Sequence, residues 1–266
     1  MIEPLKDTHT EVDAPRLKLT YSGLRPDPNR LQPKEWPKAT AVIRRKYVRG
    51  GIRSYCRGHL RFGMLNGSVG YLRVDAFGAY ARGVYTDQLQ VLQSALDALF
   101  RDAEPLRGLV IDVRNNEGGD DPLGVEIASR LTAGRYLAYT KVARNNRDGP
   151  LHFTAPQEIW VAPSTRPGFR GNVILLTGPD TNSAGETFTM ALMGREPPIA
   201  RIGLNTQGVF SDVLGRTLPN GWSFGLPNEV YRTKEGKSFD GTGVPPDLRA
   251  NFFAERLGGG PGRGPR

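Results

Sequence analysis

The 266-residue chain is 38% hydrophobic and 24% charged, enough to bury the core of one large domain or two small ones. It has no apolar run near the roughly 18 residues a membrane span requires, no apolar N-terminal secretory stretch, one cysteine (Cys56) and no CxxC or HxxxH spacing, which argues against a membrane span, an internal disulfide and a zinc site. The formal charge of +9 sits at the ends: residues 1–53 hold 12 Lys/Arg against 6 Asp/Glu, residues 256–266 hold three Arg and no acid, and residues 54–255 balance at 21 against 21, a pattern of solvated tails rather than a nucleic-acid face.

Taken in chain order, residues 1–60 read as an irregular N-terminal segment, with Pro26, Pro28, Pro33 and Pro37 breaking residues 20–40. A core over residues 61–255 follows. Val69–Val74 reads as a strand, and Leu89, Leu92, Leu96 and Leu99 give Thr86–Phe100 a helical spacing. Leu109–Val113 is a buried strand by its β-branched run, and Pro122–Leu131 a helix with proline near its start. Val173–Thr177 is a further buried strand, followed by a helix from Ser183 to Met193 and then strands and turns from Arg201 to Tyr231. Strand–helix alternation predicts an α/β fold. The Gly- and Pro-rich end, residues 256–266, predicts a disordered tail.

Acyl transfer by a serine needs an exposed hydroxyl, a base within reach and N–H donors for the developing oxyanion. Ser183, in Thr181-Asn-Ser-Ala-Gly-Glu186, lies between a buried strand and an apolar helix, where free N–H groups gather. The same Ser183-x-x-Glu186 spacing is also a capping box that would only start the helix. Arg114-Asn-Asn-Glu-Gly-Gly119 follows a buried strand with two glycines, which permit a tight turn with exposed N–H groups at Gly118 or Gly119, or an ordinary strand-to-helix turn.

Together these segments resemble the S41 serine peptidases, the family of the C-terminal processing and tricorn-core proteases. Gly108–Gly119 is similar to their strand-and-glycine motif, Thr177–Phe188 to their nucleophile motif and Val69–Val74 to their first core strand. Gly203–Gly208, Leu218–Gly221 and Asp240–Asp247 are similar to their closing segments. The resemblance implies a ClpP/crotonase-like α/β core, a serine endopeptidase acting through an acyl-enzyme on Ser183, a peptide or protein substrate, and no cofactor or metal. It places the oxyanion donors at Gly118 or Gly119 and Ala184.

One branch of the family pairs its serine with a downstream lysine, but no lysine occurs here between Lys141 and Lys234. The other branch uses histidine and an acid, and Leu5-Lys-Asp-Thr-His-Thr-Glu-Val12 is similar to its histidine segment, which makes His9 the base and Asp240 the acid. On residue type alone His9 is a solvated surface histidine near a chain end, His59 is a second-choice base, His152 falls in a loop, and Asp240 is a common turn residue. Residues 10–60 are too few for the PDZ domain of many relatives. The early position of the histidine segment suggests a truncated form of an exported protein, so the resemblance implies a location outside the cytoplasm. Self-association is left open. The competing readings are an inactive module of the same fold that binds an apolar ligand or peptide, and a crotonase-like acyl-CoA enzyme.

Overall fold

A computed structural model describes residues 5–23, 26–102, 106–145, 149 and 152–251. The expected tail at 256–266 lies outside the described residues. The chain begins with strands β1 (Glu11–Ala14) and β2 (Leu19–Ser22), helix α1 (Trp36–Lys46), and strands β3 (Arg49–Tyr55), β4 (Leu60–Asn66) and β5 (Val69–Val74). Next come α2 (Tyr85–Asp102), β6 (Gly108–Asp112), β7 (Asn115–Asn116), α3 (Asp121–Ser129), β8 (Tyr136–Ala143) and β9 (Gln157–Val161). The last part holds β10 (Asn172–Thr177), β11 (Asp180–Thr181), α4 (Ala184–Met193), β12 (Ala200–Gly203), β13 (Val213–Thr217), β14 (Ser223–Pro227), β15 (Glu229–Arg232) and β16 (Leu248–Arg249).

The main sheet runs β16-β12-β10-β6-β5-β4-β3, parallel from β16 to β5 and antiparallel from β5 to β3. Its apolar strands pair so that Leu72, Ile111 and Leu175, all fully buried, form one row across three strands. Such β-branched and leucine runs suit strands covered on both faces. Helix α2 buries Leu92, Leu96 and Leu99, spaced four and three apart, as the sequence pattern predicts. Helix α4 is buried from Ala184 to Leu192, and Gly124 lets α3 approach it, since a Cβ there would stand 3.3 Å from Phe188 Cβ.

The N-terminal segment is more regular than expected. Strand β1 pairs antiparallel with both β2 and β14 in the four-stranded sheet β13-β14-β1-β2, so the start of the chain is joined to residues from its far half. Residues 36–55 form α1 and β3, while residues 26–35 keep the irregular character that the prolines suggest. A third sheet, β15-β8-β9, flanks α4 through β8.

The carboxyl ends of β5, β6, β10 and β12 lead into the loops that carry the candidate residues, the usual location for a site in an open parallel sheet. Beneath these loops, at the end of β6, Asp112 accepts from Arg114 Nε at 2.9 Å, Arg114 Nη2 at 2.7 Å and Tyr71 OH at 2.6 Å. Burial pushes the Asp112 carboxyl up, but Arg114, Arg73 and Tyr71 outweigh it and hold the group at about 2.

Candidate active site

The two motif loops are fastened to each other by main-chain bonds. Strands β7 and β11 form a short parallel ladder, Asp180 opposite Asn115 and Thr181 opposite Asn116, and Asn182 N–H donates to the Asn116 carbonyl at 3.1 Å. The fully buried Asn116 side chain donates through Nδ2 to the Val74 carbonyl at 2.9 Å and accepts Gly118 N–H on Oδ1 at 2.9 Å. Asn116 therefore ties the ends of β5 and β6 to the serine loop, a role that its place in Asn-Asn-Glu-Gly-Gly does not announce.

Ser183 is the residue before α4, with φ 50° and ψ −122°, a region that residues with a Cβ rarely occupy. Its hydroxyl makes no capping bond. Glu186 does not act chiefly as the second half of a capping box either. Its buried carboxylate accepts Thr206 Oγ1 at 2.5 Å, Gly208 N–H at 2.7 Å and Val209 N–H at 2.7 Å. Burial pushes Glu186 up to about 7, against the opposing pull of these donors. The loop it grips accepts Ser183 N–H on the Val209 carbonyl at 3.1 Å.

The next carbonyl of that loop, Phe210 O, lies 3.1 Å from Nδ1 of the half-buried His9. A carbonyl can only accept, so this contact requires the proton on Nδ1 and leaves the Nε2 lone pair free. His9 sits in a turn closed by Thr10 N–H to the Asp7 carbonyl at 3.0 Å and His9 N–H to Asp7 Oδ1 at 2.7 Å, immediately before β1. Gly23 covers the turn, and a Cβ there would stand 2.5 Å from the Asp7 carbonyl oxygen. Asp240 is brought to the same neighbourhood. Asp240 is exposed; partial desolvation and Asp7 push its carboxyl up, while the Phe210 and Gly241 amides and His9 favour its charged form. The contact on His9 Nδ1 is made by the Phe210 carbonyl.

The glycine turn separates into two different positions. Gly118 has φ 85°, and a Cβ there would lie 2.6 Å from Ser183 Cβ, so its backbone packs directly on the serine. Its N–H is already committed to Asn116 Oδ1. Gly119 faces Phe77 through a parallel bridge in which the flanking residues make the bonds, Phe77 N–H to Gly118 O and Asp120 N–H to Phe77 O, both 2.7 Å. In that pattern the N–H of Gly119 itself points away from Phe77. Among the described residues neither Gly119 N–H nor Ala184 N–H has a main-chain partner in these loops, which makes these two the open donors beside Ser183.

The other candidates lie elsewhere. His59 stands near Tyr80, with ring centroids 6.2 Å apart, and lines a groove beside Glu117, while His152 is exposed. Lys141 bonds Glu229 at 3.1 Å and Asp212 at 3.2 Å, and although burial opposes its charge these acids raise its pKa, so it is a protonated structural lysine rather than a base. Among the described residues no group of three His, Cys, Asp or Glu could hold a metal, and no helix is long and apolar enough to cross a membrane.

A parallel α/β sheet that presents a strained serine beside open N–H groups is an arrangement suited to acyl transfer. The profile of peptidase family S41 matches residues 68–250, and the chain belongs to that family. The fold agrees with solved structures. A candidate peptidase of Parabacteroides merdae superposes with a TM-score of 0.72 at 23% identity, over 94% of this chain and 72% of that one. A candidate S41 protease of Bacteroides fragilis gives 0.55 at 22% identity, over 75% and 51%. A photosystem II D1 C-terminal processing protease gives 0.51 at 24% identity, over 68% and 42%. The chain thus spans about half or less of the last two. No curated protein matches the sequence at significance.

Proposed function

We propose that the protein is a serine endopeptidase in which Ser183 is the nucleophile, His9 the general base and Asp240 the acid that supports the imidazolium. The observation that carries this reading is that Ser183 and His9, far apart in sequence, bind consecutive carbonyls of one loop, Val209 and Phe210. His9 Nε2 takes the proton from Ser183 Oγ as the oxygen attacks the peptide carbonyl carbon. The oxyanion is received by Gly119 and Ala184 N–H, and loss of one such donor typically costs on the order of 3 kcal/mol of transition-state stabilisation. The proton then passes to the leaving amine as the C–N bond breaks, and water, deprotonated by the same histidine, hydrolyses the acyl-enzyme. Phe210 O fixes the tautomer throughout, and the Asp240 charge favours the protonated ring.

The test is labelling with a fluorophosphonate probe and mapping of the modified residue by mass spectrometry, on the wild type and on His9→Ala. The expected result is modification of Ser183 in the wild type and its loss in the variant. Labelling that persists in His9→Ala removes His9 as the base. A folded wild type that does not label favours a binding module on this fold.

A further inference from the structure

Beside the serine loops, a groove of about 1080 Å³ runs between α1 and the β3–β4 region, with Arg73 and Asp75 in its lining. Its charged groups are unequally committed. Asp75 alone serves both Arg61 and Arg73, the latter at 2.6 Å. Arg73 is also held by Thr40 and stacks on Trp36, 5.6 Å from the ring. Arg44 and Arg57 line the groove, are exposed, and have no ion pair among the described residues. Arg57 is fixed in a left-handed turn, φ 53°, between Cys56 at φ 50° and Gly58 at φ 97°, backbone that a residue with a side chain adopts only when its surroundings impose it. The balanced charge of residues 54–255 hides this cluster, because Arg44 comes from the segment before them.

The groove reaches the reaction centre. Asn115 and Glu117 form its inner wall, Glu117 N–H donates to the Asp75 carbonyl at 2.9 Å, and Gly118, the next residue, packs on Ser183. Trp36, Pro33, Pro37 and Ile52 add apolar surface to the groove. We propose that this groove binds an extended stretch of the peptide substrate bearing acidic side chains, with Arg44 and Arg57 as the specificity-determining cations. The exposed Glu117 carboxylate, one residue before Gly118, repels an acid beside the scissile bond, so the preferred acid is one that meets Arg44 or Arg57 instead. The proposal rests on the serine-peptidase reading for its substrate, but the binding step is measurable without catalysis.

The experiment uses the full chain carrying Ser183→Ala and two decapeptides of one sequence, one with glutamates and one with glutamines, each bearing a neutral dye. Anisotropy titrations are run at low and near-physiological salt. The glutamate peptide should bind about tenfold tighter at low salt and lose most of that advantage as screening shortens to about 8 Å. Arg44→Glu and Arg57→Glu should each lower the preference, and the double variant should favour a lysine version of the peptide. That reversal requires a folded chain and so guards against mere loss of structure. Equal binding of the two peptides, or a preference that survives the double variant, overturns the groove assignment, as does tighter binding of a single-stranded oligonucleotide at the same sites. Fluorophosphonate labelling of the wild-type serine reports separately: labelling without a glutamate preference sinks only the groove proposal, and a preference without labelling sinks only the serine reading.

Discussion

Glu186 holds Val209 to the start of α4: its carboxylate accepts Val209 N–H at 2.7 Å, and the Val209 carbonyl in turn accepts Ser183 N–H at 3.1 Å, three residues before Glu186. The same loop goes on to hold the His9 ring. Glu186 is therefore a positioning residue for both ends of the proposed proton transfer. Glu186→Gln keeps the shape but replaces an acceptor-only group with one whose N–H₂ faces donors. The labelling rate of Ser183 should fall on the order of 100-fold, the cost of about 1 Å of misplacement at a reacting pair, with His9 and Ser183 unchanged.

The pH dependence has two opposite signs. The folded value of Glu186, about 7, lies above its ordinary 4.5, so its contribution to stability is complete below about 4.5 and is lost as pH rises through about 7. Its grip on the loop runs the other way, because the ionised carboxylate is the stronger acceptor. Thermal midpoints of the wild type should fall between pH 5 and 8 relative to Glu186→Gln while the labelling rate rises. A parallel course of the two midpoints would exclude Glu186 as the titrating group.

Gly118→Ala should abolish labelling while leaving most of the fold. The new methyl would overlap Ser183 Cβ, and φ 85° is unfavourable for alanine. Backbone strain of this kind costs on the order of 1–3 kcal/mol, readable in a denaturant titration. A variant that labels at the wild-type rate would show that Gly118 does not set the serine's position.

Gly23→Ala tests the seat of His9 from outside the site. Its Cβ would strike the Asp7 carbonyl and displace the turn that carries the histidine. Labelling should drop several-fold or more, with little change in global unfolding, since the turn lies outside the main core. Unchanged labelling would mean that the turn tolerates the shift.

Asp112→Ala should destabilise by about 3–5 kcal/mol, because it leaves the buried Arg114 guanidinium without its counter-charge. In the wild type the Asp112 contribution is present above its ordinary 3.8 and is lost as pH falls through about 2. Chemical denaturation at neutral pH measures the first effect, and an acid titration of the folded state the second.

The main sheet was legible because its strands are apolar on both faces: Val69–Val74, the Leu109–Val113 run and Val173–Thr177 fall within a residue of β5, β6 and β10. Strand β3 was not, since it is almost wholly exposed, carries Gly50 and Gly51, and owes its form to pairing with β4. Helix α1 buries only Trp36 and Ala39, too few to show a period. The place of Ser183 directly before α4 was legible from its motif. The use of Glu186 was not, because one spacing serves a capping box and a loop anchor equally well. The His9–Phe210 contact has no local signature, as the residues lie 201 positions apart.

That separation also sets an order of events during synthesis. His9 leaves the ribosome about 200 residues ahead of its partners: β1 completes its sheet only against Ser223–Pro227, and the carbonyl that fixes its ring belongs to Phe210. Until most of the chain has been translated, the histidine has neither its sheet nor its hydrogen-bond partner. On the proposed mechanism, a nascent chain built this way has no assembled base to turn on itself or on its neighbours until these later segments have been made.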